Sequence, residues 1–190
     1  MSRDVPRRDY LLGLAWRSIR LGLGGIEPAR PELDGCPPDA LLPGASFVTL
    51  TAGRGELRGC RGMLEPHRPL AADVWYNAWA SAYDDPRFPP VGRHELDHIR
   101  LEISVLGPLQ RVAAGREAEL ARQLVPGRDG VVLGWRRHRA TFLPQVWENL
   151  PDPREFLAAL KAKAGLAPDF WADDLEVHRY EVEKLRAASP

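Results

Sequence analysis

Apolar positions first recur at helical spacing near the start of the chain. Leu11, Leu12, Ala15 and Ile19 fall on one face of a helix that begins at Asp9, and Gly22, Gly24 and Gly25 end it. Residues 26–45 are rich in Pro and Gly and lack periodicity, so they predict a loop, with Cys36 ahead of a Pro-Pro pair. Two strands follow: the β-branched run Ser46–Ala52, a turn at Gly53-Arg54-Gly55, and Glu56–Cys60. A second helix is expected from Pro69 to Tyr83, with Leu70, Val74, Ala78 and Ala82 on its apolar face and Asp85–Pro90 stopping it.

Further along, Leu101, Ile103 and Val105 alternate with Arg100, Glu102 and Ser104, the pattern of a half-buried strand over Ile99–Leu106. A short helix at Glu117–Leu124 leads to a strand pair, Gly130–Trp135 and Arg139–Leu143. A helix starts at Asp152-Pro153 and runs to Ala164, closed by Gly165, and a last strand spans Leu175–Val182. Strands that succeed one another through short turns, with helices interspersed irregularly, predict an α+β fold with mostly antiparallel sheets and flanking helices. Residues 26–45 are the one linker-like stretch and are too short to separate domains, so residues 1–190 read as a single domain.

Charge narrows the function. Lys and Arg total 26, as do Asp and Glu, so the chain lacks the basic surplus that phosphate binding demands. The basic run Arg136-Arg137-His138-Arg139 reads as a solvated hairpin turn. Two cysteines in different contexts, Cys36 and Cys60, argue against a disulfide framework. Met1–Arg8 is polar, and no uninterrupted apolar run reaches the ~18 residues of a membrane span. A cytoplasmic location is the expectation.

The sharpest chemical feature is Leu57-Arg58-Gly59-Cys60-Arg61-Gly62. In an extended chain Arg58 and Cys60 project from the same face, and the flanking glycines leave the thiol approachable. A neighbouring guanidinium favours the thiolate. Arg61 adds positive potential from the opposite face. Cys60 is thus a candidate nucleophile, or part of a small anion cradle. The alternative is a buried cysteine beside glycines that a tight bend requires.

Leu-Arg-Gly-Cys-x-Gly resembles the signature of the AMMECR1 family. Asn77-Ala78 with Asp85–Pro90, Leu101–Leu106, Phe142–Val146 and Lys163–Leu166 resemble the family's later blocks in the same order. Position 61, apolar in the family, is Arg61 here, which bears on whether the strand's second face is buried or the chain turns away after Cys60. The resemblance implies two intimately packed lobes forming one globular unit, and no established activity or cofactor. It also implies company: similar domains in bacteria and archaea accompany a Memo-like protein and a radical SAM protein, and some are fused to the former (the AmmeMemoRadiSam system). The chain is not itself a radical SAM enzyme, because two cysteines fall short of the three thiolates such a cluster needs.

His94-Glu95-Leu96-Asp97-His98 matches the H-E-x-x-H pattern of zinc proteases, which needs both histidines on one helical face. Pro89, Pro90 and Gly92 before it, and a strand at Ile99 after it, leave barely one turn, so a connecting turn is expected instead. Asp84, Asp85 and Arg87 are expected to shape the helix exit, with Arg87 paired to a carboxylate near the Cys60 strand. Gln145, after a proline in an apolar run, is either a polar tie or a ligand contact. His67 is a candidate base for Cys60. Trp75, Trp79, Trp135, Trp147 and Trp171 are expected to pack in the core or between lobes.

The sequence favours a non-catalytic partner protein with a ligand pocket around Arg58, Gly59, Arg61, Gly62, Arg87 and Gln145. A cysteine-dependent enzyme using Cys60 is the alternative. A regulatory nucleic-acid binder is the third reading, opposed by the balanced charge.

Overall fold

Helix α1, Arg7–Leu21, follows Pro6, and its Leu11, Leu12, Ala15 and Ile19 are buried together with Leu14 and Trp16. The computed structural model describes residues 6–186. The part of the polar N-terminal stretch at residues 1–5 lies outside them. Gly22 caps α1, and Gly24 and Gly25 adopt positive φ (99° and 79°), which glycine alone takes without strain.

Strands β1, Ala45–Ala52, and β2, Glu56–Gly62, form a hairpin through Gly53 and Gly55, both at positive φ. Helix α2, Leu70–Tyr83, follows, then a 3-10 turn at Arg93–Glu95 and strand β3, Arg100–Leu106. β1 pairs antiparallel with both β2 and β3, and β8, Val182–Arg186, completes a sheet of order β2-β1-β3-β8 once the remaining strands have intervened. α1 and α2 cover one face of this sheet, where Val48, Leu50, Leu101 and Ile103 meet Leu11, Ile19, Val74 and Ala78 in one core. Ser18 Oγ donates to the Trp75 carbonyl at 2.7 Å and Tyr83 Oη to the Ile19 carbonyl at 2.7 Å, so hydrogen bonds also lock the two helices.

The second sheet has the order β4-β7-β5-β6, from Gln110–Arg111, Glu176–Tyr180, Gly130–Trp135 and His138–Phe142. Helices α3, Glu117–Gln123, and α4, Pro153–Lys163, belong with it. Asp152 caps α4 by accepting from the Arg154 and Glu155 N–H groups, as its sequence position foretold. Val131, Leu133, Leu157 and Leu160 fill this core, and Trp147 stacks on Phe156 with centroids 3.7 Å apart. The buried Lys161 ammonium reaches Glu117 at 2.8 Å, tying α4 to α3.

The fold is therefore α+β, with four α-helices and two four-stranded sheets among the described residues. The chain divides into two compact units: one runs to Leu106 and resumes at Glu183, the other spans Gly107–Val182. The single strand expected over Leu175–Val182 is in fact two, because the chain leaves the second sheet at Tyr180 and enters the first at Val182. Glu181, between them, gives its carbonyl to the Gly107 N–H at 2.8 Å instead of to a ladder.

Candidate functional site

β2 carries the glycine–cysteine segment along the edge of the first sheet. Two of its glycines are dictated by contact. A Cβ on Gly59 would run into the Ser81 carbonyl of α2, and one on Gly62 would strike the Phe47 ring and the Ser46 carbonyl. Glycine at 59 lets β2 lie directly against the helix, and glycine at 62 makes room for the Phe47 ring of β1.

The helix face it meets is polar. Asp73, Asn77 and Ser81, at successive i, i+4 steps, are all buried. Asp73 Oδ2 accepts from the Ser46 N–H (2.8 Å), the Ser46 hydroxyl (2.7 Å) and the Asn77 amide (2.8 Å). Ser81 Oγ donates to the Val48 carbonyl at 2.8 Å and accepts from the Arg61 N–H at 2.9 Å, bridging β1 and β2. Burial raises the Asp73 pKa above the ordinary carboxylate value, while the Ser46 bonds, Arg68 and Asn77 oppose the rise. Nothing in the apolar-face reading of this helix singled out Asp73 or Ser81. Their i, i+4, i+8 spacing inside an otherwise apolar helix was the available signal.

At Cys60 both main-chain polar groups point off the sheet's edge, as alternate residues of an edge strand do. The Cys60 N–H donates to Asp85 Oδ2 at 2.9 Å, and Arg87 Nη2 donates to the Cys60 carbonyl at 3.4 Å. Arg87 in turn grips Asp85 through Nε (2.9 Å) and Nη2 (2.7 Å). The Arg87 bond is the leading cause that holds the Asp85 carboxyl well below the usual carboxylate range, against its burial. Arg87 is raised in the same exchange, with Asp85 the largest cause and the Cys60 side chain a lesser one.

The expectation that Arg58 and Cys60 share a face is corrected. A β-bulge separates the pairs Leu50↔Gly59 and Thr51↔Leu57, so Arg58 is an extra residue without a partner on β1. The bulge shifts the alternation and brings Leu57 onto the Cys60 face. The Arg58 guanidinium leaves for Glu95, which it meets at 2.6 and 3.0 Å, and for the Pro90 carbonyl at 3.4 Å. Its Nη1 is buried and lacks a hydrogen-bond partner. The Cys60 sulfur is half-buried and lies 3.4 Å from Thr49 Oγ1, its cross-strand neighbour. That face of the sheet continues into a cavity of about 310 Å³ lined by Thr49, Thr51, Arg100, Glu102 and Arg186.

Arg61 starts opposite Val48, on the helix side, and β2 continues through it to Gly62 instead of turning away after Cys60. Its guanidinium binds the Asp84 carbonyl and carboxylate, placing a cation at the C-terminus of α2. His67 is not brought to the thiol; its partner is Glu65, at 3.7 Å. Gln145 is exposed on a 3-10 turn of the other unit, Pro144–Glu148, so it is no buried polar tie. The H-E-x-x-H segment is the 3-10 turn Arg93–Glu95 and its exit, with Glu95 taken by Arg58 and the Gly92 N–H (2.8 Å). Arg58 is the main cause lowering the Glu95 pKa. Among the described residues no group of three or more His, Cys, Asp or Glu side chains is placed to share a metal ion. None of the described helices is long and apolar enough to cross a membrane.

Of the sequence candidates in this unit, the structure thus gathers Arg58, Gly59, Cys60, Arg61, Gly62 and Arg87 around one edge strand, while His67 pairs with Glu65 instead. Asp73, Ser81, Asp85, Glu95 and Thr49 complete the constellation.

Comparison with known proteins yields consistent matches. A family model described as AMMECR1 matches residues 12–185. A protein of Thermococcus onnurineus is 38% identical over 192 residues, covering 96% of this chain and 91% of its own length. Protein MJ0810 of Methanocaldococcus jannaschii is 39% identical over 147 residues, 76% of this chain and 73% of that protein. The crystal structure of uncharacterized protein PH0010 from Pyrococcus horikoshii superposes with a TM-score of 0.80 at 37% identity, covering 92% of this chain and 88% of that one.

Proposed function

The chain belongs to the AMMECR1 family, and on that premise we propose that it is a non-catalytic accessory or ligand-binding component, cytoplasmic, acting with Memo-like and radical SAM partners through its Cys60 face. The observation that carries this reading is that the charged side chains around Cys60 are already engaged. Arg58 holds Glu95, Arg61 holds Asp84, and Arg87 holds Asp85. The thiol's hydrogen-bonding neighbour is a hydroxyl, not a base. Nucleophilic catalysis needs a base within hydrogen-bond reach and a third group to orient it. A sheet face bearing Leu57, Thr49, Thr51 and a partly open thiol suits contact with another surface.

The test is co-purification of tagged protein with the Memo-like and radical SAM proteins of the same organism. Wild type and Cys60→Ser are expected to retain them, while Thr49→Arg, on the same face, loses them. Failure of wild type to retain either partner would end this reading.

A second reading, a cysteine-dependent enzyme or enzyme subunit, draws on one observation: the half-buried thiol lies within electrostatic range of the Arg87 guanidinium. A partner-dependent reaction abolished by Cys60→Ser would favour it over the first.

A further inference from the structure

A cavity of about 630 Å³ opens beside the first turn of α2, and no residue of β2 lines it. One wall is the loop after α1, whose Pro- and Gly-rich sequence reads as unstructured. It is pinned all the same. Trp79 Nε1 donates to the Ile26 carbonyl at 3.0 Å, and Trp75 Nε1 donates to the Ala29 carbonyl at 3.1 Å. These anchors place Glu27 and Arg30 on the cavity's rim and Pro31 and Leu33 along its wall. The opposite wall is α2 itself, where Ala72 and Tyr76, four residues apart, present a methyl group and a ring.

The rim is cationic. Arg68 is oriented before any ligand arrives: its guanidinium carbon lies 4.8 Å from the Tyr76 ring centroid, and its Nε lies 3.6 Å from the buried Asp73 carboxylate. Arg30 is exposed and makes no ion pair among the described residues. His67 adds a ring that can donate a hydrogen bond. Guanidinium forks match carboxylate and phosphate oxygens. The size lies within the range of small-molecule sites.

We infer that this cavity binds a small organic anion, a carboxylate or phosphate monoester with a ring or short apolar body, its charged end between Arg30 and Arg68 and its body against Tyr76, Ala72 and Leu33. Glu27, on the same rim, disfavours a second negative charge at the ligand's far end. The inference is independent of any role for Cys60.

Amide chemical-shift titration of the full chain with phenyl phosphate, benzoate, inorganic phosphate and benzylamine tests it. Saturable shifts at Arg30, His67, Ala72 and Tyr76 are expected with phenyl phosphate or benzoate, and the tighter of the two identifies the anionic group. Arg30→Glu, an exposed change, should weaken binding by about tenfold or more, the loss of one charge-assisted contact. Ala72→Leu, which fills the cavity with a good helix former, should abolish it. Far-UV circular dichroism of each variant separates lost binding from lost fold, and Arg30→Gln replaces any variant that unfolds. The inference is overturned if neither organic anion shifts these amides, or if benzylamine or inorganic phosphate binds as well as they do. Full affinity in a folded Arg30→Glu protein overturns it too.

Discussion

The Asp85 carboxylate binds the main-chain N–H of Cys60 at 2.9 Å and so occupies the position a neighbouring strand's carbonyl would hold. Arg87 completes the imitation by donating to the Cys60 carbonyl. The pair lies in the segment that stops α2, which explains why Asp-Pro-Arg stands there: the helix exit and the strand edge are secured by the same side chains.

Asp85→Ala should therefore destabilise the protein by about 1–3 kcal/mol, since it strips a half-buried N–H of its charged acceptor and leaves Arg87 without its carboxylate. Urea unfolding of the variant against wild type measures this, and a difference below ~0.5 kcal/mol contradicts the assigned role.

The same carboxylate shapes the acid limb of stability. Its folded pKa is depressed, chiefly by Arg87, so its contribution is complete above the unfolded value of ~4 and is lost as pH falls toward the folded one. Asp73 has the opposite sign: its folded pKa is raised, so its contribution is present below ~4 and fades as pH rises through the folded value. Asp85→Asn should flatten the stability loss below pH ~4, and unfolding midpoints over about pH 3 to 7 would show it.

Gly59 and Gly134 make a matched pair. Gly59→Ala drives a methyl group into the Ser81 carbonyl and should cost about 3 kcal/mol, by forcing β2 off α2. Gly134, in β5, has nothing within 4 Å of its Cβ position, so Gly134→Ala should be neutral or stabilise by roughly 0.5–1 kcal/mol. Thermal melts of both variants decide whether proximity or general glycine content matters.

Arg58 and Glu95 should couple. Their side chains are 12% and 24% exposed and meet bidentately, so a double-mutant cycle through Arg58→Met and Glu95→Gln is expected to give about 1–2 kcal/mol of interaction energy. A value near zero would mean that the bulge, not the ion pair, holds Arg58 in place.

Lys161 offers a parallel test in the other unit. Lys161→Ala strands Glu117 beside a cavity and should cost about 3–5 kcal/mol, whereas Lys161→Met with Glu117→Leu should recover most of that loss. Chemical denaturation of the single and double variants separates a needed ion pair from a replaceable one.

Much of the fold was legible because periodicity reports burial. Leu11, Leu12, Ala15 and Ile19, and likewise Leu101, Ile103 and Val105, are buried as their spacing foretold. The final strand was misread because periodicity says nothing of which sheet a strand joins; Glu181 marks the change only through a bond to Gly107, far away in sequence. At the site, the glycines and cysteine were visible, but the bulge was not. One extra residue in β2 turned Arg58 from Cys60 to Glu95, and an alternation argument assumes that no such residue exists. The buried-tie reading of Gln145 failed for a related reason: an apolar neighbourhood in sequence does not fix the side on which a 3-10 turn exposes its residues.

The first sheet is finished by β8, which the chain supplies only after the whole of Gly107–Val182 has been made. The second unit is continuous in sequence, so on the ribosome it can collapse while the first still lacks its last strand. Unit 1 must therefore wait with the β3 edge unpaired, and truncation before Val182 would leave that edge open for good. A chain cut there should accumulate in inclusion bodies even though every residue of the Cys60 site is present.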